Sequence, residues 1–167
     1  HQRCLYPLGK GQKHRRRRRW TWTLTELTIM IKELENKLKQ KDIRPTAMRL
    51  LVLEALFGQE AAISLSDLEK AFEKSDRVTL FRTMKTFQEN GLVHSIDDGT
   101  GAPKYALCEE GCECNIERDL HVHFHCRVCS ETFCLPKCKI PEINLPTNFK
   151  SEEANLVVKG VCGKCTG

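Results

Sequence analysis

A chain of 167 residues has room for one ordinary domain or two small ones, and at 40% hydrophobic and 29% charged it has the composition of a soluble globular protein. No apolar run approaches the roughly 20 residues of a membrane-spanning helix. The formal net charge of +5 hints at nucleic acid, but residues 1–29 hold eight Lys or Arg and one acid, Glu26, leaving 19 basic and 21 acidic residues in 30–167. Any DNA-binding role must therefore rest on local patches.

The N-terminal arm, "KHRRRRRWTWTLTELTIM", has no helical or strand period, and an amphipathic segment begins at Met30. Met30 is the expected natural start, with 1–29 a disordered or non-native basic arm; the alternative is an arm that grips phosphates. Its apolar part is too short and too Thr-rich for a secretory signal. Four of the ten cysteines form two C-x-x-C pairs, so metal thiolates in a reducing cytoplasm account for them better than a secreted disulfide scaffold.

"MIKELENKLKQKDI" predicts a helix with Ile31, Leu34 and Leu38 on one face, ended by "RPT" at 44–46. A second helix is expected from Thr46 to Phe57, with Leu50, Leu53 and Phe57 as its stripe and Gly58 closing it. Ser64 with Asp67 is close to a capping box for a third helix carrying Leu65, Leu68 and Phe72. "SDRVTLFRTMKTFQENGL" predicts a fourth, capped by Ser75 or Asp76, stopped by Gly91 and buried through Leu80, Met84 and Phe87. "LVHSI", "DDGTG" and "PKYALC" then predict a β-hairpin with a Gly-rich turn. Three helices and a hairpin are the layout of a winged helix-turn-helix over 30–107.

From about residue 108 the chain is Cys-rich and β-like, predicting a small α/β or nearly all-β module over 108–167. Pro136, Pro141 and Pro146 exclude a long regular helix between them. A module this small needs more than its apolar core, and a structural metal would offset the deficit. Cys126/Cys129 and Cys162/Cys165 can supply four thiolates to a closed tetrahedral zinc site with no open position for substrate. In a strand, His121, His123 and His125 would share one face opposite Leu120, Val122 and Phe124, and two imidazoles at i, i+2 can share a metal.

Four stretches, "RPTAMRLLVLEAL", "TLFRTMKTFQENGLV", "HVHFHCRVC" and "VVKGVCGKC", together resemble the ferric uptake regulator superfamily of metal-responsive repressors over about residues 43–165. The resemblance implies an α+β protein: a winged-helix DNA-binding domain followed by a small zinc-stabilised dimerisation and metal-sensing domain. It implies a homodimer on a palindromic double-stranded operator, and a regulatory divalent metal, Zn²⁺ or Fe²⁺, at the hinge. His121 and His123 would bind that metal with wing-region ligands, for which Cys108, Cys114 and Asp97 are the main candidates; Cys112, Asp98 and His94 are the others. Arg77, Arg82 and Lys85 should meet phosphates or purine edges, Thr79 and Phe81 thymine methyls, and Arg49 a phosphate.

The departures are informative. Phe81 stands where the family usually has Tyr. Leu120, Val122 and Ala154 occupy positions where many members carry ligands of a second sensory site, so that site is expected to be absent. The proline-spaced segment replaces the usual dimerisation helix. His125 lies where an apolar residue is usual. Cys134 and Cys138 are extra; they could supplement a metal site, sense oxidants or pack as small apolar residues, with packing slightly favoured. A thiolate among the regulatory ligands tilts the metal toward zinc, and hence the function toward a repressor of metal-uptake genes. A peroxide-sensing iron or manganese regulator and a protein-contact module with only structural zinc are the alternatives. An enzyme is not expected, since the H-x-E and P-C-x-x-C arrangement of zinc deaminases is missing.

Overall fold

The computed structural model describes residues 24–73, 75–108, 121–139, 144–150 and 154–166. Helix α1, Leu24–Gln40, begins ahead of Met30, because Leu27 and Met30 extend the 3–4 spacing of Leu34 and Leu38 upstream. Ile31, expected on the buried face, is instead 41% exposed, and the face that packs runs through Met30, Leu34 and Leu38. Helix α2, Ala47–Phe57, is capped by the Thr46 side chain and buries Val52, Leu53 and Leu56. Phe57 lies outside that core, under the Lys37 ammonium at 4.7 Å, where it gains a cation–π contact rather than burial.

Strand β1, Ile63–Ser64, leads into helix α3, Leu65–Ala71. The full capping box forms: Asp67 N–H donates to Ser64 Oγ, and Ser64 N–H donates to the Asp67 carboxylate. Helix α4, Arg77–Glu89, is capped by Asp76, and Leu80, Met84 and Phe87 enter the core as expected. Gly91 follows at φ 61°, the left-handed position that ends a helix cheaply only at glycine. The hairpin is β2, Val93–Ile96, with β3, Lys104–Leu107. Strand β1 adds to it, giving the order β1-β3-β2; a pairing of two residues carries no legible period in the sequence.

The second sheet has the order β5-β4-β6. Strand β4 is His121–Cys126, β5 is Thr132–Lys139 and β6 is Leu156–Gly160. β5 runs antiparallel to β4 and β6 parallel to it. Pro136 sits in edge strand β5 where the register with β4 shifts, a place where its missing N–H breaks no regular rung. A short helix, α5, Gly163–Thr166, forms the last knuckle. Among the described residues no helix is long and apolar enough to cross a membrane.

Candidate metal centres and nucleic-acid face

The knuckle after β4 folds back on itself: Ser130 N–H donates to Cys126 O, and Cys126 N–H donates to Glu131 O. The second knuckle turns through α5, with Cys165 N–H donating to Cys162 O. The parallel pairing of β6 with β4, Cys126 opposite Gly160, brings the knuckles together. The sulfurs of Cys126, Cys129, Cys162 and Cys165 then all lie within 4.8 Å of one another, and none is in a disulfide. Cys129 Sγ and Cys162 Sγ are 3.8 Å apart. A tetrahedron with ~2.3 Å zinc–sulfur bonds has edges of about 3.8 Å.

Backbone N–H groups of Cys129, Cys162 and Val128 stabilise the Cys126 thiolate, against the opposing effect of burial, and hold its pKa down to about 6. Hydrogen bonding to Cys162, burial and the neighbouring thiols push Cys165 up to about 12. Four thiols this close cannot all ionise without a cation among them. The cluster therefore fits a structural zinc.

The second cluster is built differently. His94 from β2 meets His121 and His123 from β4 and Cys134 from β5, with ligand atoms again within 4.8 Å of one another. His94 Nε2 lies 3.3 Å from His123 Nε2 and 3.2 Å from Cys134 Sγ. With ~2.0–2.1 Å zinc–nitrogen bonds, a tetrahedral N···N edge is about 3.3–3.4 Å. Burial, followed by the neighbouring imidazoles, lowers His94 and His123 to about 4, so both rings are neutral near pH 7 with lone pairs available. These residues fit a divalent cation.

The regulatory ligands anticipated from the sequence fare unequally. His121 and His123 stand in the cluster. Cys108 lies one step out, its Sγ 3.6 Å from Nδ1 of His94, the ring nitrogen facing away from Cys134. Asp97 is not in the cluster; its carboxylate accepts the Gly99 N–H within the wing turn. Cys112 and Cys114 lie outside the described residues. Cys134, for which packing was favoured slightly over a supplementary place in a metal site, joins the cluster, while Cys138 is disulfide-bonded. A signal for Cys134 was available: counting outward from the knuckle as a hairpin pairs His125 with Thr132 and His123 with Cys134, and directly opposed residues share a face.

His125 and Asp98 have a third role. Asp98 and Thr132 are buried, and Thr132 Oγ1 donates to Asp98 Oδ2 at 2.6 Å. The same hydroxyl accepts from Lys104 Nζ at 3.1 Å and faces His125 Nδ1 at 3.0 Å, which uses its one donor and two acceptor sites. Lys104 Nζ also lies 2.9 Å from Asp98 Oδ2 and donates to Ser130 O. Burial raises the Asp98 pKa, but hydrogen bonds from Thr100, Thr132 and Lys104 outweigh it and hold the carboxyl well below the usual carboxylate range. This network joins the wing to the β4–β5 hairpin. Ala62 N–H donating to Thr132 O and Lys164 paired with Glu60 add two further ties between the modules.

On α4, Phe81 is 48% exposed and Val78 50%, beside exposed Arg82 and Lys85. Arg77 is tied to Glu69 of α3 at 2.8 Å, and Thr79 helps close the helix cap on Asp76. Arg49, partly buried, donates to Arg44 O. The outward face of α4 not tied to another helix is therefore Val78, Phe81, Arg82 and Lys85, the last paired with Glu89 of the same helix at 3.8 Å, and it includes an apolar residue, Val78, absent from the expected contacts.

A winged helix joined to a small sheet bearing one four-thiol cluster and one histidine-rich cluster defines a class: α+β metal-responsive regulators rather than enzymes. Residues 40–159 match the Ferric uptake regulator family, and the chain belongs to that family. It is 24% identical over 144 residues to the peroxide operon regulator of Bacillus subtilis (strain 168), covering 81% of this chain and 93% of that protein. Its fold is similar to that of a zinc uptake regulator complexed with zinc and DNA, at a TM-score of 0.59 and 21% identity over 87% of this chain and 97% of that one. The Vibrio cholerae ferric uptake regulator is similar at a TM-score of 0.51 and 19% identity, over 77% of this chain and 98% of that one.

Proposed function

We propose that this chain is a cytoplasmic, homodimeric repressor of metal-uptake genes that binds a palindromic operator when its histidine cluster holds zinc. The observation that carries this reading is the approach of His94 Nε2 to both His123 Nε2 and Cys134 Sγ, at 3.3 and 3.2 Å, across the junction of wing and sheet. A divalent cation there supplies positive charge that lets neutral imidazoles and a thiolate converge. His94, His121, His123 and Cys134 would hold it, and a soft sulfur donor favours zinc over Fe²⁺ or Mn²⁺. Cys126, Cys129, Cys162 and Cys165 would hold a second, structural zinc.

His94 belongs to the wing and the other three ligands to the second sheet, so ligation restrains one module against the other. In a dimer, that restraint favours the separation of two α4 helices that fits two half-sites about one helical turn, ~34–36 Å, apart or a multiple of it. Arg82 and Lys85 would contact phosphate or guanine, and Phe81 thymine methyls. Exposed Leu156 and Val158 on edge strand β6, with Val161 beyond it, support self-association through the second module. The test is operator binding by protein loaded only at the four-thiol site, titrated separately with Zn²⁺, Fe²⁺ and Mn²⁺. Zinc should tighten binding most. Affinity that stays flat under all three would refute the sensor reading.

A further inference from the structure

The Asp97 carbonyl can only accept a hydrogen bond, so the Asn155 atom 2.9 Å from it must be the amide nitrogen Nδ2. That fixes the orientation of the amide. Asn155 Oδ1 therefore faces His123 Nδ1, at 3.1 Å. Oδ1 can only accept, so His123 carries its proton on Nδ1, and Nε2 is left bare, facing His94 Nε2 at 3.3 Å. One side chain just before β6 thus connects a backbone carbonyl of the wing turn to the choice of ligand nitrogen in a β4 histidine.

We propose that Asn155 is a positioning residue: it sets the His123 tautomer from the position of the wing, and so couples ligation to wing docking. The coupling is reciprocal. When the wing withdraws, the amide loses the partner that orients it, and His123 is free to place its proton on Nε2. When Nε2 is engaged, the proton must sit on Nδ1, and the Asn155 orientation that also grips Asp97 is favoured. The neighbouring Asp98–Thr132–Lys104 network holds the base of the same turn, so the movement required of Asp97 is small. The inference rests on the regulatory-site reading above, yet its central claim concerns the cation-free histidine and can be tested without that site being filled.

The test uses the full chain with zinc at the four-thiol site only. Imidazole ¹⁵N shifts should report a single Nδ1–H tautomer for His123, and a mixture in Asn155→Ala. Asn155→Asp keeps the acceptor for His123 but sets an oxygen against the Asp97 carbonyl. It should keep the tautomer and the zinc affinity of the second site, while losing the part of the zinc-induced hydrogen-exchange protection expected at residues 96–104 of the parent that His94 ligation alone does not supply. Asn155→Ala should lose that protection and about tenfold in zinc affinity, within the range for residues that orient a ligand. An unchanged tautomer in Asn155→Ala, or full wing protection in Asn155→Asp, would overturn the proposal. A parent chain that takes up no second zinc but shows the tautomer change would sink the regulatory-site reading while leaving the positioning role standing.

Discussion

The four-thiol cluster and the histidine cluster lie on the same strand but are assembled from different parts of the fold. Cys126, Cys129, Cys162 and Cys165 all come from the second module, from two knuckles joined by one strand pairing. His121, His123 and Cys134 come from the second sheet and His94 from the wing, so the complete cluster needs both modules. A site enclosed by one module can stabilise that module; a site shared between two can report their arrangement. The largest test of this contrast is Cys162→Ser. Structural zinc in small domains contributes on the order of 10 kcal/mol or more, so the second module should lose cooperative melting and the structural zinc. An unchanged melting curve would remove the four-thiol cluster from its structural role.

Next in size is the metal-independent tie between the modules. Lys104→Met leaves Asp98 buried beside Thr132 without its cation, and breaking a buried pair this way costs about 3–5 kcal/mol. Thermal unfolding should fall accordingly, and hydrogen exchange should rise at the wing turn and at Thr132 together. A rise in only one of them would mean that the network stabilises a single module and does not join two.

Much of this was legible in the sequence because it is periodic or local. The stripe of Leu80, Met84 and Phe87, the Ser64–Asp67 capping box and the C-x-x-C pairs depend on spacings within a few residues. The regulatory ligand set depends instead on which strand faces which. Asp97 was a reasonable oxygen donor by chemistry, but its carboxylate is used within the wing turn. Cys134 has no motif of its own to choose between packing and a place in a metal site; hairpin register decides, placing it opposite His123. His125 shares the ligand face, yet the pairing of β4 with β5 puts it at Thr132 and Asp98 rather than among the other imidazoles. Phe57 failed for another reason: the buried face of α2 runs through Val52, Leu53 and Leu56, which leaves Phe57 one residue past it, and the Lys37 contact gave it an exposed place to rest.

The distinction between Cys134 and Cys108 supplies a smaller test. If Cys134 is a ligand as proposed, Cys134→Ser should weaken zinc binding at the histidine cluster by more than tenfold. Cys108→Ser, which alters the far side of the His94 ring, should cost less than Cys134→Ser and leave the stoichiometry at two zinc ions per chain. Competition with a chelator measures both. If the order were reversed, Cys108 would be the ligand and Cys134 the residue that orients His94.

The smallest effect per side chain separates the clusters by pH. Burial, then the adjacent imidazoles, keep His94 and His123 at about 4, below the ~6.5 of a histidine in the unfolded chain. Between those values the unfolded chain binds protons that the folded rings refuse, so stability falls as pH drops from 6.5 toward 4. Asp98 has the same sign in a lower window: its depressed carboxyl stabilises the fold above the unfolded value of ~3.9, and that contribution is lost only below it. Protein with zinc at the four-thiol site alone should therefore lose on the order of 2–3 kcal/mol between pH 7.5 and 5.5, about half from each ring, before Asp98 titrates. Filling the histidine cluster with zinc should steepen that loss, because protons then compete with the ligated rings. Equal melting temperatures at pH 7.5 and 5.5 without zinc there would mean that the two rings are not held neutral by burial, and the premise that His94 and His123 offer lone pairs to a cation would fail.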